Sequence, residues 1–266
     1  MCSDMPPAIC ARNLYKCFPA NRGQAHALRA ALERAALASF TRSPGDSPPA
    51  EHIRWALHDI SFDIDQGECV ALIGHNGAGK SLLLRVLSRI TRPTRGEADL
   101  FGTVGSVLDI GVGFNRDFTG RENVFLMGAI LGIKKCEIVQ NFDEIVEFSG
   151  IGDVLDQPLK SYSNGTHVRL AFAIAIQMKP EILLMDEVLA VADEEFIRIC
   201  IRKLDHLKRE GRTILLASHD MALLRQLCTR ALWFEHGRLV GDGPLAEIAG
   251  KYHTPLHGTS LTPCRG

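Results

Sequence analysis

Three short stretches of the chain, residues 68–73, 182–185 and 213–217, each hold four or five consecutive apolar side chains. Runs this short with no polar position have no solvent face, so they predict strands covered on both sides. Helical spacing predicts helices at 81–87, 168–177 and 194–209, the last a charged amphipathic one, with another running on to 228 after Asp220. Strands alternating with helices imply an α/β fold with a mainly parallel sheet. Towards the N-terminus, 8–18 alternates enough for an edge strand and 55–64 for a second strand. Between them lie an Ala- and Leu-rich amphipathic segment, 26–40, and a Pro/Gly/Ser loop, 41–50. Residues 97–108 read as one or two short strands broken by Gly102 and Gly105. Helices at 122–133 and 136–148, followed by the turn-rich 150–158, interrupt the alternation and suggest a helical lobe inserted in the core. A hairpin around His236-Gly237 and a short helix at 244–252 finish the ordered pattern.

The length of 266 residues and a hydrophobic content of 46% allow one large domain with a sizeable core. With 30 Lys and Arg against 31 Asp and Glu, the net charge of −1 offers no global attraction for nucleic acid. The eight cysteines are scattered without a C-x-x-C pair, which indicates neither a zinc site nor a redox motif. The N-terminus lacks a basic region followed by an apolar stretch, and the most apolar run, near 170–178, is too short to cross a bilayer. Any membrane role would then require a partner.

Gly74-His75-Asn76-Gly77-Ala78-Gly79-Lys80-Ser81 fits G-x-x-x-x-G-K-[ST], between a predicted strand and a predicted helix. That context marks a phosphate-binding loop rather than a plain glycine turn. Glycines let backbone N–H groups close around phosphate oxygens, and the helix N-terminus adds partial positive charge. Lys80 would reach the terminal phosphates, and the Ser81 hydroxyl would ligate Mg²⁺.

Asp186 and Glu187 end the apolar run 182–185, at the carboxyl end of a strand where open α/β sheets bind ligands. Asp186 emerges where Mg²⁺ would lie, and Glu187 can orient or deprotonate an attacking water. A solvated acidic turn is the alternative, and the neighbouring phosphate loop weighs against it. His219 follows 213–217 in the same geometry, near the γ-phosphate. The polar turn Tyr162-Ser163-Asn164-Gly165-Thr166 opens a helix. It is a second anion-binding candidate, although locally Ser163 reads better as an N-cap.

These elements in this order resemble the ATP-binding cassette family, over residues 8–252. Gly74 to Ser81 matches the Walker A loop, and 162–166 stands in place of the signature Leu-Ser-Gly-Gly-Gln. Residues 182–187 match Walker B with its catalytic glutamate, 190–193 the D-loop, and His219 the switch histidine. The resemblance implies a P-loop NTPase core with an N-terminal antiparallel β subdomain and an inserted helical subdomain at about 112–178. It implies ATP and Mg²⁺ as cofactors, with Lys80, Glu187 and His219 catalytic. It also implies a head-to-tail homodimer, in which Ser163, Asn164 and Gly165 serve the ATP of the opposite subunit. Adenine would stack on Phe18, with Tyr15 or Trp55 as substitutes. No glutamine lies near Phe114 to act as the Q-loop residue; Asp109 is the nearest polar candidate for that metal contact. Asn164 replaces a glycine that usually approaches phosphate closely.

Gly111-Val112-Gly113-Phe114-Asn115, Thr119-Gly120-Arg121-Glu122-Asn123 and Leu189-Ala190-Val191-Ala192-Asp193 are similar to the polysaccharide-exporter branch. So is the insertion at 19–54. That likeness implies the ATPase subunit of a transporter for lipid-linked O-antigen, capsule or teichoic acid. It would work with an integral-membrane permease on the cytoplasmic face of the cell membrane. The polar tail, 253–266, is expected to carry no carbohydrate-binding domain. Non-transport cassette ATPases and importers remain the competing readings.

Overall fold

The computed structural model describes residues 6–19, 53–108, 113–130, 133–177, 179–187 and 193–253. The predicted helix at 26–40, the loop at 41–50, most of the insertion, Asp109 and the tail lie outside them. So do Gly111, Val112 and residues 189–192.

The apolar runs become the middle of a six-stranded sheet. Its strands are β3 (Cys69–Ile73), β5 (Val104–Val107), β6 (Ile182–Asp186), β7 (Thr213–Ala217), β8 (Arg230–Glu235) and β9 (Arg238–Pro244), in the order β5-β6-β7-β3-β8-β9. All neighbours are parallel except β8 and β9, the terminal hairpin. Side chains alternate across a strand, and here that alternation divides each run between two cores. Cys69, Ala71 and Ile73 face one core, with Leu183, Met185, Ile214 and Leu216. Val70 and Leu72 face the other, with Ile182, Leu184 and Leu215.

The first face is covered by α4 (Asn164–Gln177), α5 (Glu194–Arg209), α6 (Met221–Leu227) and α7 (Leu245–His253). On α5 the buried stripe is Phe196, Cys200, Leu204 and Leu207, spaced for one helix face. The second face meets α1 (Lys80–Leu87) and a three-stranded antiparallel sheet, order β2-β1-β4, of β1 (Ile9–Pro19), β2 (Ile53–Ile64) and β4 (Arg95–Leu100). At about 1.5–3 kcal/mol for each large side chain fully buried, these two layers supply most of the cohesion.

A third core lies among α2 (Gly120–Ile130), α3 (Lys135–Ser149) and α4, around Val124, Ile138, Ile145, Leu159 and Ile174. Helix α4 serves two cores at once. Val168, Phe172 and Ile176 enter the sheet core, while Leu170, Ala173 and Ile174 enter the helical one. Two buried faces account for its nearly all-round apolar sequence.

Two expectations need correction. Strand β1 is not an edge strand: Ile9 pairs with Ile64 on one side and Leu100 on the other. Its pattern is that of a strand with Ile9, Ala11 and Leu14 wholly buried, and local alternation carries no information about how many neighbours a strand has. Helix α4 begins at Asn164, four residues before the predicted start. Ser163 Oγ accepts the Thr166 N–H at 3.1 Å, so the polar turn is the capped first turn of the helix.

Candidate functional site

The glycine loop leaves β3 and enters α1 through three left-handed glycines, with φ of 146° at Gly74, 78° at Gly77 and 110° at Gly79. A Cβ on Gly74 would collide with the carbonyl oxygen of Phe234, and one on Gly79 would sit 2.9 Å from Leu57 Cδ2. Only glycine fits both conformation and space there. The turn is closed by the Ala78 N–H donating to the His75 carbonyl at 3.0 Å, and the Gly237 N–H ties it to the β8–β9 hairpin through the Ala78 carbonyl at 2.9 Å.

Lys80 folds back into this loop. Its side chain is 4% exposed, and Nζ donates to the carbonyls of Gly74 at 2.6 Å and His75 at 3.3 Å. Burial pushes its pKa below the ordinary lysine value, while Glu187 and then Asp186 pull it back up. Ser81 is exposed beside it.

Glu187 takes φ of 48° at the end of β6, a backbone that costs a non-glycine residue about 1 kcal/mol or more. Its N–H still donates to the Ala217 carbonyl at 2.9 Å. The bend sends its carboxylate towards β7's end, where Oε1 lies 2.8 Å from His219 Nε2 and 3.9 Å from Lys80 Nζ. His219 is itself framed by a local turn. Ser218 Oγ accepts the Asp220 N–H, and the Asp220 carboxylate caps α6 by accepting the N–H groups of Ala222 and Leu223.

A cavity of about 1010 Å³ opens over these groups. Residues 76–82 line it, with Phe18, Trp55, Ala56, Arg85, Glu187, His236 and Gly237. Phe18 and Trp55 both border the space; Tyr15 does not, and packs edge-on to Trp55 at 5.7 Å. Lys16 Nζ sits 5.2 Å over the Phe18 ring. Gly74, His75, Asp186 and His219 are not part of the lining. Ser163, Asn164 and Gly165 also lie off it, at the N-terminus of α4, and an added Cβ on Gly165 would meet nothing nearer than Ser163 Oγ at 3.8 Å.

Ser81 and Asp186 are hard oxygen donors, the type Mg²⁺ prefers alongside phosphate oxygens and water. Among the described residues no group of three or more His, Cys, Asp or Glu could hold a metal. Among the described residues no helix is long and apolar enough to cross a membrane.

Several groups around the site are invisible to motif reading. Arg85 and His236 join the cavity lining. Arg169 Nη2 is 2.7 Å from Asp193, whose other oxygen caps α5 by accepting the Phe196 N–H. The guanidinium also lies 5.0 Å over the Phe196 ring, so it latches α4 to α5. Arg169 is the one charge inside the apolar run 168–176, and that isolation is the signal that could have found it.

A strand–glycine loop–helix with a buried lysine, set beside the carboxylate end of a parallel strand, defines a P-loop nucleotide-binding α/β protein. The chain belongs to the ABC transporter family, whose family model matches residues 57–190. It is 38% identical over 252 residues to the ABC transporter protein AbcA of Aeromonas salmonicida, spanning 94% of this chain and 77% of that one. It is 42% identical over 197 residues to the O-antigen export system ATP-binding protein RfbB of Klebsiella pneumoniae, spanning 74% of this chain and 80% of the relative. A match of 41% over 198 residues joins it to the teichoic acids export ATP-binding protein TagH of Listeria innocua, where it spans 74% of this chain and 59% of the relative. The α/β fold agrees with solved ATP-binding subunits. One, the ATP-binding subunit of an ABC transporter, superposes with a TM-score of 0.71 at 20% identity over 96% of both chains. Another, a dimeric ATP-binding cassette with ADP and Pi, gives 0.67 at 20% identity over 89% of this chain and 98% of the other.

Proposed function

We propose that this chain is the ATP-hydrolysing subunit of a transporter that exports a lipid-linked polysaccharide of the O-antigen, capsule or teichoic-acid type. The observation that carries the hydrolytic part is the Lys80–Glu187–His219 chain, with contacts of 3.9 and 2.8 Å, whose first two members line the loop cavity. The export part rests on the relatives' names and on identity near 40%.

ATP would lie with its phosphates in the loop 74–81 and its adenine against Phe18 or Trp55. Lys80 would turn from the Gly74 carbonyl to the outer phosphates. Mg²⁺, held by Ser81 and Asp186, would neutralise charge on the phosphate oxygens when bound; Asp109 is a further candidate ligand. Glu187 is suited to take a proton from water in line with the γ-phosphate. His219, hydrogen-bonded to it, would fix the carboxylate's direction. Positioning and charge neutralisation are what phosphoryl transfer chiefly needs.

Two copies would meet head to tail, so that Ser163, Asn164 and Gly165 of one reach the ATP of the other. The capped start of α4 suits that role, because a helix N-terminus presents N–H groups to an anion. An integral-membrane permease would anchor the pair at the cytoplasmic face of the membrane, and neither copy would need nucleic acid.

Glu187→Gln should keep ATP affinity and lose about two to three decades of hydrolysis, the usual effect of removing one such contact. Phosphate release near the parent rate would remove Glu187 from the role. Purification together with a membrane permease separates a transporter subunit from a free-standing cassette ATPase; a chain that hydrolyses ATP and never acquires a permease would refute the export reading.

A further inference from the structure

The last turn of α7 reaches the phosphate loop. The Tyr252 ring lies 5.4 Å from that of His75, with planes tilted by 44°. The same Tyr252 ring meets Trp233 edge-on, 5.9 Å away at 80°. Trp233 is 8% exposed and stands opposite Ile73, the residue before the loop, in the β3–β8 register. Tyr252 is thus rooted in the sheet core, against which it packs, and its ring ends on an exposed loop side chain.

His75 matters because of its backbone. Its carbonyl accepts both the Ala78 N–H at 3.0 Å, which closes the turn, and Lys80 Nζ at 3.3 Å. Whatever steadies the His75 ring therefore steadies the carbonyl that orders the turn and the lysine. Tyr252 does not line the cavity, so its route to a nucleotide runs through the His75 ring that it meets.

We propose that Tyr252 is a positioning residue: braced by Trp233, it holds His75 and presets the phosphate loop for nucleotide. The inference rests on the nucleotide-binding role proposed above for the loop. Preorganisation strengthens binding by removing the ordering cost from the binding step. An aromatic pair of this kind corresponds to about a three- to tenfold change in affinity.

The test uses the full chain and Mg²⁺ with ADP, which is not consumed during calorimetry. Tyr252→Ala should weaken ADP binding about three- to tenfold. Tyr252→Phe, which keeps the ring, should restore it. Tyr252→Leu, which fills the core without an aromatic face, should not. His75→Ala should match Tyr252→Ala, and the double variant should be no weaker than the weaker single one. In steady state, KM for ATP should rise while kcat stays within about twofold, the pattern of lost uniform binding. Parent-like affinity in Tyr252→Ala, additive losses in the double variant, or full rescue by leucine would overturn the proposal. If Tyr252→Ala fails to fold, the phenylalanine–leucine comparison decides. A parent chain that binds no ADP would instead bring down the nucleotide-site reading, and this inference with it.

Discussion

Replacing Lys80 with methionine separates two roles of one buried ammonium. In the folded protein, the variant loses a charge-assisted hydrogen bond to the Gly74 carbonyl, worth about 1.5–3 kcal/mol. It also escapes the desolvation that drives the lysine's pKa down. The ion pair with Glu187 adds about 1 kcal/mol or less, because that carboxylate is 41% exposed and screened by water. The His75 carbonyl keeps its other donor, the Ala78 N–H at 3.0 Å. These effects offset one another, so stability should change by no more than ~1 kcal/mol, or about 2–4 °C in Tm. On the nucleotide side nothing compensates. Losing the ammonium–phosphate contact removes about 1.5–3 kcal/mol, so Kd for ATP should rise roughly ten- to hundredfold. Calorimetry and a thermal melt on the same preparation read both numbers. A parent-like Kd would mean that the ammonium never reaches the phosphates. A fall in Tm of more than about 10 °C would mean that its main work is holding the loop shut.

The pH dependence of binding should report the same lysine. If the proposed role holds and nucleotide binding needs the ammonium, affinity should be full below the Lys80 pKa and fall as pH rises through it. Glu187 is the larger of the two charges holding that pKa up, so Glu187→Gln should move the fall to lower pH in a titration of ATP affinity; an unmoved midpoint would contradict the coupling. In the core, Phe172 is fully buried between the rings of Phe148 at 6.1 Å and Phe196 at 5.9 Å. Phe172→Ala should cost about 3–5 kcal/mol by denaturant unfolding, and a loss under about 1 kcal/mol would mean that the site collapses around the gap.

The parts of the fold that depend on neighbouring residues were legible in the sequence. The strand–loop–helix around Gly74 to Ser81 and the amphipathic helix at 194–209 both stand where the pattern put them. Pairing partners were not legible. Nothing in the alternation of 8–18 says that this strand has a neighbour on each side, because its pairing partners on β2 and β4 lie 34 to 91 positions away. The apolar run alone puts the start of α4 at 168, whereas the N-cap reading of Ser163 puts it at Asn164, and the Ser163–Thr166 bond decides for the cap. At the candidate site, Lys80, Glu187 and His219 could be named singly from motifs. Their contacts at 3.9 and 2.8 Å needed the positive φ of Glu187, which no motif encodes. The Arg169–Asp193 latch was hidden for the same reason as the strand order, since its two ends belong to different helices.

The strand order has a consequence for dimensions. Strand β7 lies between β3, which feeds the glycine loop, and β6, which ends in the two acids. Adjacent strands sit about 4.8 Å apart, so the two chain ends stand roughly 10 Å from each other, about the width of a phosphate group and one water. The spacer is not passive, since His219, two residues past its end, meets Glu187 at 2.8 Å. The separation is thus set by the hydrogen-bond ruler of the sheet. Substitutions in the loops can move side chains, but the distance between the glycine loop and the acids stays with the strands.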